Sequence, residues 1–82
     1  MDKTQILAWL RGTLQKSFGI SQDQSRNGMT CQELGLKRED LNELRQKLRG
    51  ECNIVVPDGI IGDMEYMTLE GVADTLLGYV QQ

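Results

Sequence analysis

Residues 33–50 read ELGLKREDLNELRQKLRG. Glu39 and Asp40 suit the positive end of a helix dipole, and Lys47 and Arg49 suit the negative end. The charge order therefore predicts a helix that begins near Lys37 or Arg38. Leu41, Leu44, Leu48 and Cys52 then fall on one face, a stripe able to pack against the first helix of the chain. On that face Cys52 reads as a small buried apolar residue. Gly50 fits either of two roles, a terminating residue or an interior glycine that lets another backbone come close.

Upstream, residues 20–30 contain turn formers without sustained periodicity and predict a long connecting loop, with Asn27-Gly28 as its tight turn. Before it, Ile6, Leu7, Leu10, Leu14 and Phe18 recur at helical spacing, leaving Lys3, Gln5, Arg11, Gln15 and Lys16 on the other side. Gly19 ends this first amphipathic helix. Trp9 lies at the edge of the stripe, where it covers the core or presents a docking surface; the core role is the favoured one.

Downstream, Pro57 holds Val56 extended and Asp58 is placed to cap the next turn. A strand over Ile54–Val56 would have no partner. Ile60, Ile61 and Met64 predict a short third helix, and Thr68 caps a last helix that carries Leu69, Val72, Ala73, Leu76 and Val80. Three longer helices, one short one and a long first loop predict an all-α fold, a small four-helix bundle forming a single domain over residues 1–82.

The 82 residues are 39% hydrophobic and 26% charged, with a net charge of −3, which gives no pull toward nucleic acid. No apolar run suits a membrane span, and the amino terminus lacks the order of a secretory signal, so a cytoplasmic monomer with protein or small-molecule partners is expected. Cys31 and Cys52 are expected as reduced thiols. The absence of histidine removes the commonest general base and transition-metal ligand, and two cysteines do not complete a zinc site. No glycine-rich phosphate loop follows a strand. No catalytic residue and no metal site are expected, and the chain does not read as an independent enzyme.

Along nearly its whole length the chain resembles acyl and peptidyl carrier proteins. Phe18-Gly19-Ile20 is similar to the end of that family's first helix, and Glu33-Leu34-Gly35-Leu36 to the approach to its prosthetic-group site. Leu41, Glu43 and Leu44 keep the family spacing, residues 51–58 (ECNIVVPD) look like its hydrophobic-Pro-Asp turn, and Thr68-Leu69 resembles the opening of its last helix. The resemblance implies the carrier type of four-helix bundle. It also places Lys37, Arg38 and Glu39 where the family has aspartate, serine and a hydrophobic residue. That serine carries phosphopantetheine, and a guanidinium has no oxygen nucleophile to replace it. From Arg26 onward the chain has no serine at all, so no shift of register restores the attachment. Phosphopantetheine is therefore expected to be absent.

The family's acidic second helix docks on basic patches of its enzymes, whereas here Glu39, Asp40 and Glu43 mix with Lys37, Arg38, Arg45, Lys47 and Arg49. The leading expectation is a domain that docks a protein partner through Lys37, Arg38, Leu41, Asn42 and Arg45, as adaptor, regulator or specialised subunit in fatty-acid, polyketide or peptide biosynthesis. Arg38 could pair a carboxylate or phosphate through its planar fork; the bland alternative is a solvated helix face. A second reading is a working carrier that holds cargo non-covalently or on another residue, Cys31 being the one nucleophile nearby. A third is an unrelated interaction module of sterile-alpha-motif or death-fold type, which residues 29–48 also resemble.

Overall fold

The computed structural model describes residues 1–26 and 28–80. Its elements are α1 (Lys3–Phe18), α2 (Arg38–Lys47), a π-helical turn (Leu48–Cys52) that prolongs α2, α3 (Asp58–Met64) and α4 (Leu69–Leu77). The fold is all-α. Among the described residues, extended pairing is limited to two isolated antiparallel bridges, Thr30 with Thr68 and Ile54 with Val80.

Local chemistry sets each helix end. Asp2 accepts from the Gln5 backbone N–H at 2.8 Å while the Gln5 side chain accepts from the Asp2 N–H at 2.9 Å, a reciprocal cap on α1. Gly19 closes α1 at φ 68°, a left-handed conformation that glycine adopts without a Cβ clash. At the start of α2, Asp40 accepts from the Lys37 N–H at 3.0 Å, but the Lys37 side chain has no acceptor, so only half of a capping box forms. Thr68 accepts from the Gly71 N–H at 3.0 Å and caps α4.

Three expectations need correction. Gly50 neither ends the helix nor admits a neighbour: it lies inside the π turn with open space around its Cβ direction, and the left-handed residue is Asn53, at φ 55°. Asn tolerates that region because its short polar side chain bonds locally. Asp58 does not cap α3, because Pro57 holds the cap position and Asp58 is the first helical residue. Cys52 is only half-buried, packed at the margin of the core.

The core unites Ile6, Leu10 and Leu14 of α1 with Leu41, Leu44 and Leu48, and with Leu69, Val72, Ala73 and Leu76 of α4. Trp9 is half-buried against it, the core role favoured from its place on the stripe. α1 packs chiefly on α4 and α2 chiefly on α3, while the α2 leucines join those of α1 in the common core. In the segment joining α2 and α3, Ile54 and Val56 are buried while Val55 is 49% exposed, the alternation of an extended backbone.

The loop between α1 and α2 is pinned at both ends. Arg11 Nε donates to the Ser25 carbonyl at 3.1 Å, and Ser25 is itself fully buried. Further on, Cys31 N–H donates to Met67 O and Gln32 N–H to Glu65 O, while Leu69 N–H donates back to Met29 O, each at 3.0 Å. The expected Asn27-Gly28 turn falls on Asn27, outside the described residues.

Loss of the Thr68 cap leaves an α4 backbone N–H without its acceptor. Thr68→Ala is expected to cost about 1 kcal/mol and to lower the thermal midpoint by ~4–8 °C in a domain of this size, measured by circular dichroism.

Candidate functional site

α2 and the π turn that prolongs it place four polar residues along one edge. Arg38, Asn42, Arg45 and Arg49 recur at helical spacing along the edge that faces α3 and the Val55-Val56 segment. Arg38 is the first helical residue and is exposed, as is Lys37 before it. Arg38, Asn42, Asp58, Gly59, Ile61 and Gly62 line an open cleft of about 370 Å³ between α2 and α3. The Arg38 guanidinium lies across Gly62 so closely that a Cβ there would come within 3.3 Å of Nη2. Gly62 leaves the volume this arginine occupies, whereas a Cβ at Gly59, three positions earlier, would meet open space.

Not all of the expected docking residues share that surface. Leu41 is 0% exposed and serves the core, so it cannot touch a partner. Arg45 is committed inside the molecule: its Nε donates to the Val56 carbonyl at 2.7 Å and its guanidinium pairs with the Asp58 carboxylate. Lys37, Arg38 and Asn42 remain on the face. Arg49 and the exposed Val55 extend it along a smaller cleft of about 200 Å³, which also includes Gln46. Sequence reasoning missed Gly59, Gly62 and Val55. The three-residue spacing of the two glycines in so short a helix was the available signal for the first two.

Among the described residues, ion pairs form only at Lys3, with Glu70 and Asp74, and at Arg45, with Asp58. Hydrogen bonds to Glu70 and Asp74 raise the Lys3 pKa. Lys37, Arg38, Lys47 and Arg49 have no carboxylate in ion-pair range among those residues. A separate cavity of about 360 Å³, lined by first-loop residues such as Ile20, Arg26, Met29 and Leu34, shares no residue with this face.

The two thiols are poor nucleophiles. Cys31 is 1% exposed, and burial pushes its thiol up to about 11 from an ordinary 9.0, so thiolate is scarce at neutral pH. Cys52 is also raised, mainly by burial and then by the Glu51 charge. No group of three or more potential metal ligands occurs among the described residues.

Two expected outcomes follow from these contacts. Arg45→Met strands the buried Val56 carbonyl and is expected to cost about 1–3 kcal/mol in urea unfolding, whereas Asp58→Asn, at an exposed carboxylate, costs at most about 1 kcal/mol. The Cys31 thiol is folded with a raised pKa, so its contribution is complete below pH 9.0 and is lost as pH rises through about 11. Stability is expected to fall by about 2–3 kcal/mol across that window, and Cys31→Ala removes that part of the decline when the two unfolding curves are compared.

No family model matches this sequence, and no curated protein or solved structure is significantly similar to it. The case for function therefore rests on the fold and on the residues of the α2–α3 edge.

Proposed function

We propose that this domain is an acyl-carrier-like interaction module without a covalently bound phosphopantetheine, which acts by docking a protein partner on the edge of α2. The observation that carries the reading is the position of Arg38. It opens the second helix after a long loop, and the short α3 follows Pro57. This is the order that the resemblance to carrier proteins implies, with arginine standing where their serine receives the prosthetic group.

The chemistry of the face supports docking over loading. A guanidinium cannot form the phosphodiester, and the Cys31 thiol lies in the core with its pKa raised to about 11. Lys37 and Arg38 instead offer positive charge that is unpaired among the described residues, beside Asn42, a surface suited to carboxylates on a partner. The partner belongs in the same biosynthetic setting as carrier domains, as an enzyme or assembly subunit presenting an acidic surface. The domain would act there as adaptor, regulator or specialised subunit.

Intact mass after incubation with coenzyme A and a promiscuous phosphopantetheinyl transferase tests the proposal, with Arg38→Ser as the companion variant. The wild type is expected to keep its mass while the variant gains the prosthetic arm. Modification of the wild type would overturn the docking-only reading, and failure of both chains to react would remove the carrier resemblance from the argument.

A further inference from the structure

A cleft of about 320 Å³ opens between α1 and the far end of α2, and it shares no residue with the α2–α3 edge. One wall is α1, which supplies Trp9, Thr13, Lys16 and Ser17; the other supplies Lys47 of α2 and Glu51 of the π turn. Positions 9, 13, 16 and 17 are spaced for a single helix face. Lys16 and Lys47 form no ion pair among the described residues, with Glu51 or with any other carboxylate. Each lies in the last turn of its helix, where the backbone dipole favours a cation. That preference accounts for a lysine at each helix end, but it does not bring the two to one cleft.

Two residues of the α1 wall have no explanation inside the domain. Thr13 is only 9% exposed, yet its hydroxyl has no hydrogen-bond partner among the described residues. Thr75, also within a helix, bonds back to the Gly71 carbonyl at 2.9 Å, and Thr13 makes no such bond. No fully buried side-chain nitrogen or oxygen among those residues lacks a partner, so the Thr13 oxygen lies on the small surface that the residue keeps, at the wall of the cleft. Gly12 lines the cleft beside it. Glycine weakens a helix interior, and a Cβ here would meet nothing within 4 Å, so no close approach within the domain requires it. Its effect is to keep this wall free of a side chain.

We propose that this cleft binds a small ligand that joins a phosphate to a planar ring, of the nucleoside monophosphate class. Two ammonium groups and the hydroxyls of Thr13 and Ser17 supply donors to the phosphate oxygens. Trp9 is half-buried against the core, and the part of its indole that lines the cleft gives the ring a surface on which to stack. Glu51 accepts from an amino or hydroxyl group on the ring-bearing part, and its charge keeps the phosphate to the lysine side. The volume stands at the lower end of the range for small-ligand pockets, about 300–1,000 Å³, which suits a ligand of this size. The proposal does not rest on the carrier-like reading, because it uses no residue of the α2–α3 edge.

Trp9 is the one tryptophan of the chain, so its fluorescence reports this site alone. Titration of the full chain with adenosine monophosphate up to ~10 mM tests the proposal, with adenosine and inorganic phosphate as separate titrants. The nucleotide is expected to quench Trp9 saturably with a Kd below ~1 mM, and adenosine or phosphate alone to bind at least tenfold more weakly. Lys16→Ala/Lys47→Ala should lose at least tenfold in affinity. Gly12→Gln fills the open wall while improving helix propensity, so it should lose binding by a similar factor with its thermal midpoint kept or raised, as circular dichroism would verify. A wild type without saturable quenching overturns the proposal, as does unchanged affinity in either variant. Adenosine or phosphate binding as tightly as the nucleotide overturns the joined ligand class.

Discussion

The long first loop is held to the junction between α3 and α4 by three backbone hydrogen bonds, from Cys31 to Met67, from Gln32 to Glu65 and from Leu69 to Met29. Much of the remaining architecture depends on that pairing. A loop of this length would otherwise leave backbone donors and acceptors to water and its apolar residues without a place in the core. Once pinned, it buries Cys31 and Leu36 and delivers the chain to Lys37, where α2 begins. The position of Arg38 relative to α3 is therefore set by hydrogen bonds made some way from it in sequence.

Amphipathic helices were the legible part of this fold. Ile6, Leu10 and Leu14 of α1, Leu41, Leu44 and Leu48, and Leu69, Val72, Ala73 and Leu76 of α4 are buried where their spacing places them, while Leu7, Phe18 and Val80 are partly buried and Val80 lies beyond the end of α4 rather than within it. Gly19 and Thr68 stand at the ends their chemistry suits. Helix termination at Asn53 was harder to read because Gly50, a stronger terminator by type, lies three residues earlier inside the π turn. The competition is decided by packing, since Ile54 must reach the core and pairs with Val80. Asp58 shows the same limit. Its type and place before an apolar run suggest a cap, but Arg45, thirteen positions away, supplies a partner that only the folded chain creates.

Two of the residues expected on the docking face, Leu41 and Arg45, are engaged inside the molecule. Leu41 and Arg45 lie close to Arg38 in sequence, and a list made from proximity includes both. Helical geometry separates them: Leu41 turns into the core, while Arg45 points along the α3 edge and is consumed by Val56 and Asp58. Gly59 and Gly62 enter the face from another helix, and nothing in the α2 segment announces them. Contacts between elements are the information that local pattern omits.

Two arginines seven residues apart on one helix edge thus have opposite physical roles. Arg45 is a structural cation, because its guanidinium completes the hydrogen bonding of a buried carbonyl and ties the extended segment to α2. Arg38 makes no hydrogen bond or ion pair among the described residues, and it stands at the helix end where backbone dipoles disfavour positive charge. Glu39 and Asp40, in the first turn, offset that disfavour locally. A cation held at an unfavourable helix end, in the open and over a glycine-lined cleft, contributes little to stability.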